Sequence, residues 1–483
     1  MASIKKNFSY NILLNISNVL FPIITAPYVA RVLGPEACGL AGFAGTYAGY
    51  FAMAAGLGSG MYGTREIAKL RDDRAGMERF MSEMISISVI HTVIVSFIYL
   101  ITLLLIPKMQ ENFFIFFIAG FSLYLLPFGG LSWYYVGNER FGFTTSRSLI
   151  LRILTIIALF LFVKNRSDLY IYMMLNVLSG FGVIFSNIYF IRKDGVRLNL
   201  TFKGLKRHYK PMLLLFSSTV AISIYTMLDS LMLGIFSTYS EVSFYSNAST
   251  LCKALLGVVT SLSAVAVPRV AYYFKNKDYT NINMLMEKSL SMVSFLAVPM
   301  AVGIACIAPV FVPLFLGDAY IPAIHPTMIM SGVVIAIGFN NLLGIQILIG
   351  LGLDKRFLQC VLVGTVSNFF LNLLVIPLWG ASGAAISSVI AEFLILFVEI
   401  YFVKKYTLVR FGDGVKDVWK SFAASLIFIP IAIGLSFVFR GWLYVAILVV
   451  SCTMLYAFSQ RLLRSNSYNL IITTVKGLIP GKK

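Results

Sequence analysis

Charge is scarce in this sequence, and most of it has one sign. Only 12% of the 483 residues are charged, where a soluble domain carries about 25%. A chain that is 59% hydrophobic with so little charge cannot cover a water-facing surface, which excludes a soluble enzyme. Cysteine and histidine are scarce too. Five cysteines (Cys38, Cys252, Cys306, Cys360, Cys452) stand alone, four of them inside apolar runs, and fit neither a disulfide framework nor a zinc site. The three histidines are scattered at 91, 208 and 325. No HExxH or nucleophile elbow is present. Gly58-Ser-Gly60-Met-Tyr-Gly63 has the GxGxxG spacing, but it ends an apolar helix and follows no strand, so it does not bind a dinucleotide. Gly477-Leu-Ile-Pro-Gly481-Lys482 is too short for a P-loop. Without a nucleotide motif, the driving force left is an ion gradient, the membrane potential or substrate consumption.

What is abundant is long apolar runs. Fourteen spans are predicted, over 8–33, 38–62, 81–106, 113–136, 144–163, 169–191, 211–236, 242–266, 288–316, 324–350, 357–377, 380–403, 419–438 and 442–460. Nearly all reach the ~17–25 residues that cross the hydrocarbon of a bilayer. The first follows two lysines, as a signal peptide would, but continues to Leu33 without a cleavage site and reads as a membrane helix. With the N-terminus inside, 32 of the 39 lysines and arginines fall on the cytoplasmic side, 5 outside, and Arg152 and Lys253 within the membrane. The net charge of +19 is therefore a topology signal facing anionic lipid, not a nucleic-acid footprint.

The halves echo each other. Ala44 precedes Arg65, and Ala248 precedes Arg269, by the same interval; Glu139-Arg140-Phe141 opens span five as Lys355-Arg356-Phe357 opens span eleven. Duplication of this kind suggests two six-helix bundles, with the substrate site lying between the repeats. The expected division is 1–200 and 201–410, two further helices over 411–465, and a cytoplasmic tail over 466–483.

Polar groups within the spans mark candidate sites, because each costs at least ~2.5–3.5 kcal/mol if charged and unsupported in the bilayer. Span one carries Asn11, Asn15, Asn18, Pro22 and Thr25 on one face, which should meet water or other helices. Glycines at 42, 45, 49, 56 and 60 make a small-residue face on span two that reads as packing. Span five puts Thr145, Ser148, Arg152 and Thr155 on one face, with no carboxylate in the span. A cross-helix partner such as Glu83 or Glu392 is the alternative to a ligand. Asp229 and Lys253 lie in consecutive helices, Asp229 about 10 Å inside its helix end. They read either as two charges of a wet cavity or as a buried pair locking two helices. Span twelve carries Glu392 and Glu399 two turns apart. Glu392 fits either a structural ion pair or a coupling-cation site, and Glu399, nearer the inner end, should reach water. Asp229 and Glu392 are the ion-coupling candidates, with H+ or Na+ as the ion and no other cofactor.

Several stretches together resemble the polysaccharide-transporter branch of the multidrug/oligosaccharidyl-lipid/polysaccharide exporter superfamily. They are Ala30-Arg31-Val-Leu-Gly34-Pro35, Leu131-Ser-Trp133-Tyr-Tyr-Val-Gly137-Asn-Glu139-Arg-Phe141, Tyr245-Ser-Asn247 with Lys253 and Pro268-Arg269, and Asn368, Asn372, Pro377, Gly380 and Gly383-Ala384-Ala385. The resemblance implies an all-α polytopic fold of about fourteen helices, two pseudo-repeated bundles around a central cavity plus two C-terminal helices. It implies a flippase, not an enzyme, for undecaprenyl-diphosphate-linked oligosaccharide repeat units of O-antigen, capsule or exopolysaccharide. The location would be the bacterial inner membrane with both termini cytoplasmic, and the partners would be membrane lipids, a polysaccharide polymerase and chain-length machinery. Arg152, Lys253, Arg31, Asn15 and Asn18 are the expected substrate contacts, since cationic side chains suit a diphosphate in a low-dielectric cavity. A cation-coupled drug or small-molecule exporter of the same superfamily is the alternative, kept open by Asp229 and Glu392.

Overall fold

The structure is a computed structural model that describes residues 4–124 and 131–468, without some side chains, those of Asn11, Asn15 and 218–226 among them. Every regular element among the described residues is helical. Among the described residues, nine helices are long and apolar enough to cross a membrane. Their outer faces carry bare apolar side chains, with Phe437 85%, Leu374 69% and Phe185 68% exposed, as helices surrounded by lipid require.

The nine contain more than nine crossings, because two of them are double. The helix α1 (Ile4–Gly56) holds both of the first two predicted spans and breaks at Gly34, where φ is 80° and ψ 171°. Only glycine adopts that conformation cheaply, and Pro35 then starts the next helical run with a preset φ. The sequence Arg31-Val-Leu-Gly34-Pro35 is thus a turn between two crossings. The same device recurs at Gly380 (φ 50°, ψ −127°) between predicted spans eleven and twelve. The predicted span 113–136 includes residues 125–130, which lie outside the described residues.

The chain forms two compact units, Met1–Ser243 and Phe244–Lys483. The division between them falls a whole helix later than the expected boundary at 200. In the first unit α1 is followed by α2 (Ser59–Lys69), α3 (Arg74–Leu105), α4 (Phe113–Gly120), α5 (Ser132–Gly137), α6 (Phe141–Phe162), α7 (Leu169–Lys193) and α8 (Lys206–Phe236). The last belongs here because it packs on α1 and α2: a Cβ on Gly234 would overlap the Phe43 ring. The small-residue face of span two serves packing at some positions only. Gly49 lies against Met227 and Gly42 near Val242, whereas a Cβ at Gly45 or Gly60 would meet open space.

The motif Ser132-Trp133-Tyr-Tyr-Val-Gly137 forms α5 and fills the core beside α2 and α3. Trp133, Tyr134 and Tyr135 are buried against Phe80, Met81 and Met84. Gly63 and Gly137 make room for it, since a Cβ on them would meet the Trp133 ring and Ile67.

The second unit holds α9 (Tyr239–Lys275, whose first turns lie in the first unit), α10 (Tyr279–Leu316), α11 (Ile324–Asn340), a π-helical stretch Asn341–Ile349, α12 (Asp354–Tyr406), α13 (Gly414–Leu426), α14 (Phe428–Val438) and α15 (Gly441–Leu462). The two appended crossings belong to it as well. Ser291 of α10 donates to buried Asp417 of α13 at 2.9 Å, and Tyr456 of α15 donates to the Phe295 carbonyl at 3.0 Å.

Candidate functional site

The polar stripes of α1 and α6 face each other. Thr145 Oγ1 donates to the Tyr10 carbonyl at 3.2 Å, and Arg152 reaches α1 a helix turn and more further on. Its Nη2 donates to Asn18 Oδ1 at 2.5 Å and its Nη1 to Ser17 Oγ at 3.4 Å. The guanidinium lies 5.6 Å from the centre of the Phe21 ring, a cation–π contact. Among the described residues of this unit no carboxylate is at ion-pair distance from Arg152.

Glu83, one alternative partner, is fully engaged elsewhere. It is 2% exposed and accepts from Arg207, from His208 Nε2 at 2.7 Å and from Arg79 Nε at 3.2 Å. His208 in turn meets the Tyr62 hydroxyl at 2.9 Å through Nδ1. The positive charge of Arg152 is therefore solvated by amide, hydroxyl and ring groups, which leaves donor capacity for an anion.

That charge lines a cavity of about 300 Å³ between α1, α6 and α7. Asn18, Pro22 and Thr25 supply one wall, Arg152 and Thr155 the second, and Tyr172, Asn176 and Ser179 the third. Pro22 has no N–H to offer the carbonyl of Asn18, which weakens the helix where the cavity opens. The third wall is one that sequence reasoning missed. Positions 172, 176 and 179 repeat the four-then-three spacing of Asn18, Pro22 and Thr25, so the signal was present in a span that otherwise reads as apolar.

Of the other expected site residues in this unit, Arg31 and Asp229 are not among those that line the cavity. Arg31 is exposed on α1, one turn before the break at Gly34. The side chain of Asn15 lies outside the described residues. Asp229 is buried on α8 in the first unit, with its charge within reach of the Tyr50 hydroxyl. Lys253 is exposed on α9 in the second unit. Glu392 is 6% exposed in the second unit and accepts from Asn340 Nδ2 at 2.7 Å.

Glu399 corrects an expectation. It does not reach water: it is fully buried, although only two turns remain before the helix ends at Tyr406. Gly344 and Phe357 cover it, the glycine letting the carboxyl approach bare backbone. Outside the membrane spans, Lys108 caps the end of α8. Its Nζ donates to the Ser237 carbonyl at 2.9 Å and the Ile235 carbonyl at 3.3 Å, and burial holds its ammonium below the usual lysine range.

Apolar outer faces, paired crossings broken at glycine and polar groups gathered around a half-open cavity define a polytopic all-α membrane protein, with no group of metal-ligating residues among those described. Residues 4–274, more than half the chain, match the family described as "Polysaccharide biosynthesis protein", and the chain belongs to that family. It is 25% identical over 417 residues to a protein of Escherichia coli (strain K12) named as an O-antigen transporter, covering 84% of this chain and 98% of that one. A protein of Shigella dysenteriae with the same name is 22% identical over 404 residues, covering 83% and 100%. Among solved structures, the lipid II flippase MurJ in an inward closed conformation superposes with a TM-score of 0.79 at 16% identity, over 96% of this chain and all of that one. An inward-facing multidrug resistance transporter of the MATE family gives 0.56 at 16% identity, over 83% and 95%. The all-α polytopic membrane fold expected from the sequence is the fold observed, and the family resemblance read from the motifs is the family matched.

Proposed function

We propose that this protein is a flippase that moves undecaprenyl-diphosphate-linked oligosaccharide repeat units from the cytoplasmic to the periplasmic leaflet by alternating access, supplying O-antigen, capsule or exopolysaccharide assembly. The observation that carries the reading is Arg152: a guanidinium with no carboxylate partner among the described residues of its unit, on the wall of a polar cavity within the membrane-spanning region of the chain. A diphosphate brings negative charge and oxygen acceptors, and a weakly solvated guanidinium is the side chain that binds it most readily. The names of the relatives in Escherichia coli and Shigella dysenteriae support a transporter of glycan rather than an enzyme. The bacterial inner membrane follows as its location, membrane lipids as its surroundings, and polymerase and chain-length machinery as the next partners. The deciding experiment expresses the chain in a strain that lacks its own flippase and accumulates lipid-linked repeat units. Restored surface polymer supports the reading; efflux of cationic dyes without polymer would assign the chain to the drug exporters instead.

Asn15, Asn18, Arg31 and Lys253 are further candidates for the headgroup, and Asp229 and Glu392 for the coupling ion, H+ or Na+. Lys253→Ala should reach the membrane in normal amount and lose most polymer export, while Lys253→Arg keeps some of it, because a second cation restores charge but not the ammonium's geometry. Equal export by wild type and Lys253→Ala in the complementation assay removes Lys253 from the site.

The orientation has its own test. Lys203 is exposed in the segment between α7 and α8, on the side where the basic residues collect. Placed as Lys203→Cys in a chain freed of its five cysteines, it should stay unlabelled when intact cells meet a membrane-impermeant thiol reagent, and react once they are opened. Labelling of intact cells reverses the orientation.

A further inference from the structure

The second unit contains a buried acid that nothing among the described residues neutralises. Glu399 has no exposed surface, and neither carboxyl oxygen has a hydrogen-bond partner among the described residues. Two turns earlier on α12, Glu392 is held in place: Asn340 Nδ2 donates to its carboxyl at 2.7 Å and to its backbone carbonyl at 3.1 Å. Asn340 Oδ1 is itself buried and, among the described residues, unpartnered.

Directly after Asn340 the chain leaves α-helical geometry for the π-helical stretch Asn341–Ile349. Wide turns of this kind are rare and recur at functional sites. Gln346 in this stretch is fully buried, donates to Ser263 Oγ at 2.7 Å, and has an Oε1 unpartnered among the described residues. Gly344, also in it, faces Glu399: a Cβ there would overlap the Glu399 carboxyl and come within 2.7 Å of the Phe357 ring.

Among the described residues, the titratable groups that act on Glu399 are Glu392 and Cys360, both on α12 and neither positive when charged. The buried residues of α11 and the π-helical stretch are amides, hydroxyls (Thr327, Ser331), glycines, proline and apolar side chains, none of them cationic. A carboxylate anion in such a place would face no cation or donor, whereas the neutral acid avoids that penalty.

We propose that Glu399 is a proton-binding site, carrying a proton in this conformation and releasing it to water when the π-helical stretch rearranges. Glu392, two turns away on the same helix, is held by Asn340 and offers Glu399 no positive charge. Proton binding stands on this geometry alone; its use in driving transport rests on the flippase reading.

The test treats the full-length protein in phospholipid vesicles with dicyclohexylcarbodiimide, which reacts with protonated carboxyls in apolar surroundings, and reads the adduct by peptide mass. The expected result is an adduct on Glu399 at neutral pH that declines as pH rises, and that disappears in Glu399→Gln at an unchanged melting temperature. In the complementation strain, wild-type export should fall when a protonophore collapses the pH gradient, while the residual export of Glu399→Gln should not respond. A folded wild-type protein with no Glu399 adduct at any pH overturns the proposal, and this arm needs no variant to fold. Labelling suppressed by Na+ but indifferent to pH also overturns it, assigning the site to a metal cation, as does export by Glu399→Gln that stays as protonophore-sensitive as wild type. If the wild-type chain exports no polymer, the flippase reading fails and the labelling still decides the proton site.

Discussion

Arg152→Gln is expected to be made at near-normal level, to keep its melting temperature in detergent, and to leave lipid-linked repeat units stranded on the cytoplasmic side. The expectation follows from what the guanidinium touches. Its partners are the Asn18 amide oxygen, the Ser17 hydroxyl and the Phe21 ring, none of which carries a charge. Glutamine can still donate to Asn18, so no buried ion is abandoned and the cost of about 3–5 kcal/mol for breaking a buried ion pair does not arise. What is lost is the positive charge on the cavity wall, and an anionic headgroup depends on that charge. Export should fall to near background, with Arg152→Lys recovering some of it as a point charge without the bidentate fork. The checks are immunoblotting of membranes, thermal unfolding and quantification of surface polymer. A large fall in melting temperature would show that Arg152 is structural, and normal polymer in Arg152→Gln would show that it is dispensable.

Glu83→Ala should do the reverse, removing folded protein before transport can be asked about. Glu83 and His208 are 2% and 3% exposed and 2.7 Å apart, and His208 also holds the Tyr62 hydroxyl. Removing the carboxylate deprives His208 of its acceptor and opens a hole beside Gly204, where a Cβ would stand 2.6 Å from the Glu83 carboxyl. The expected loss is about 3–5 kcal/mol, the range for deleting one member of a buried pair. Arg79 and Arg207 add little to this, being 67% and 51% exposed and able to return to water. Glu78→Ala is the internal control. Its pair with Arg74 is exposed and of the i,i+4 type, worth less than about 1 kcal/mol. Thermal unfolding in detergent compares the two, and equal stability of Glu83→Ala and Glu78→Ala would contradict the arrangement around His208.

The sequence by itself determined the class of protein, the family and two walls of the cavity. Length and apolarity of the runs suffice for crossings, because a bilayer leaves a backbone no choice but to satisfy itself as helix. The breaks at Gly34 and Gly380 fall at the edges of the predicted spans, and the reason they carry glycine is equally local, since a positive φ selects it whatever surrounds it. The stripe from Asn18 to Thr25 and the face of Arg152 were legible from helical spacing alone. Tertiary structure decided which polar faces meet. Only packing shows that Arg152 turns to Asn18 and not to Glu83, because partner choice across helices depends on rotation and register that no single helix encodes. Only packing closes Glu399 off from water near the end of its helix, since burial there comes from Gly344 and Phe357, which lie far earlier in the chain. Periodicity tells which side chains share a face; what that face meets is set by neighbours distant in sequence.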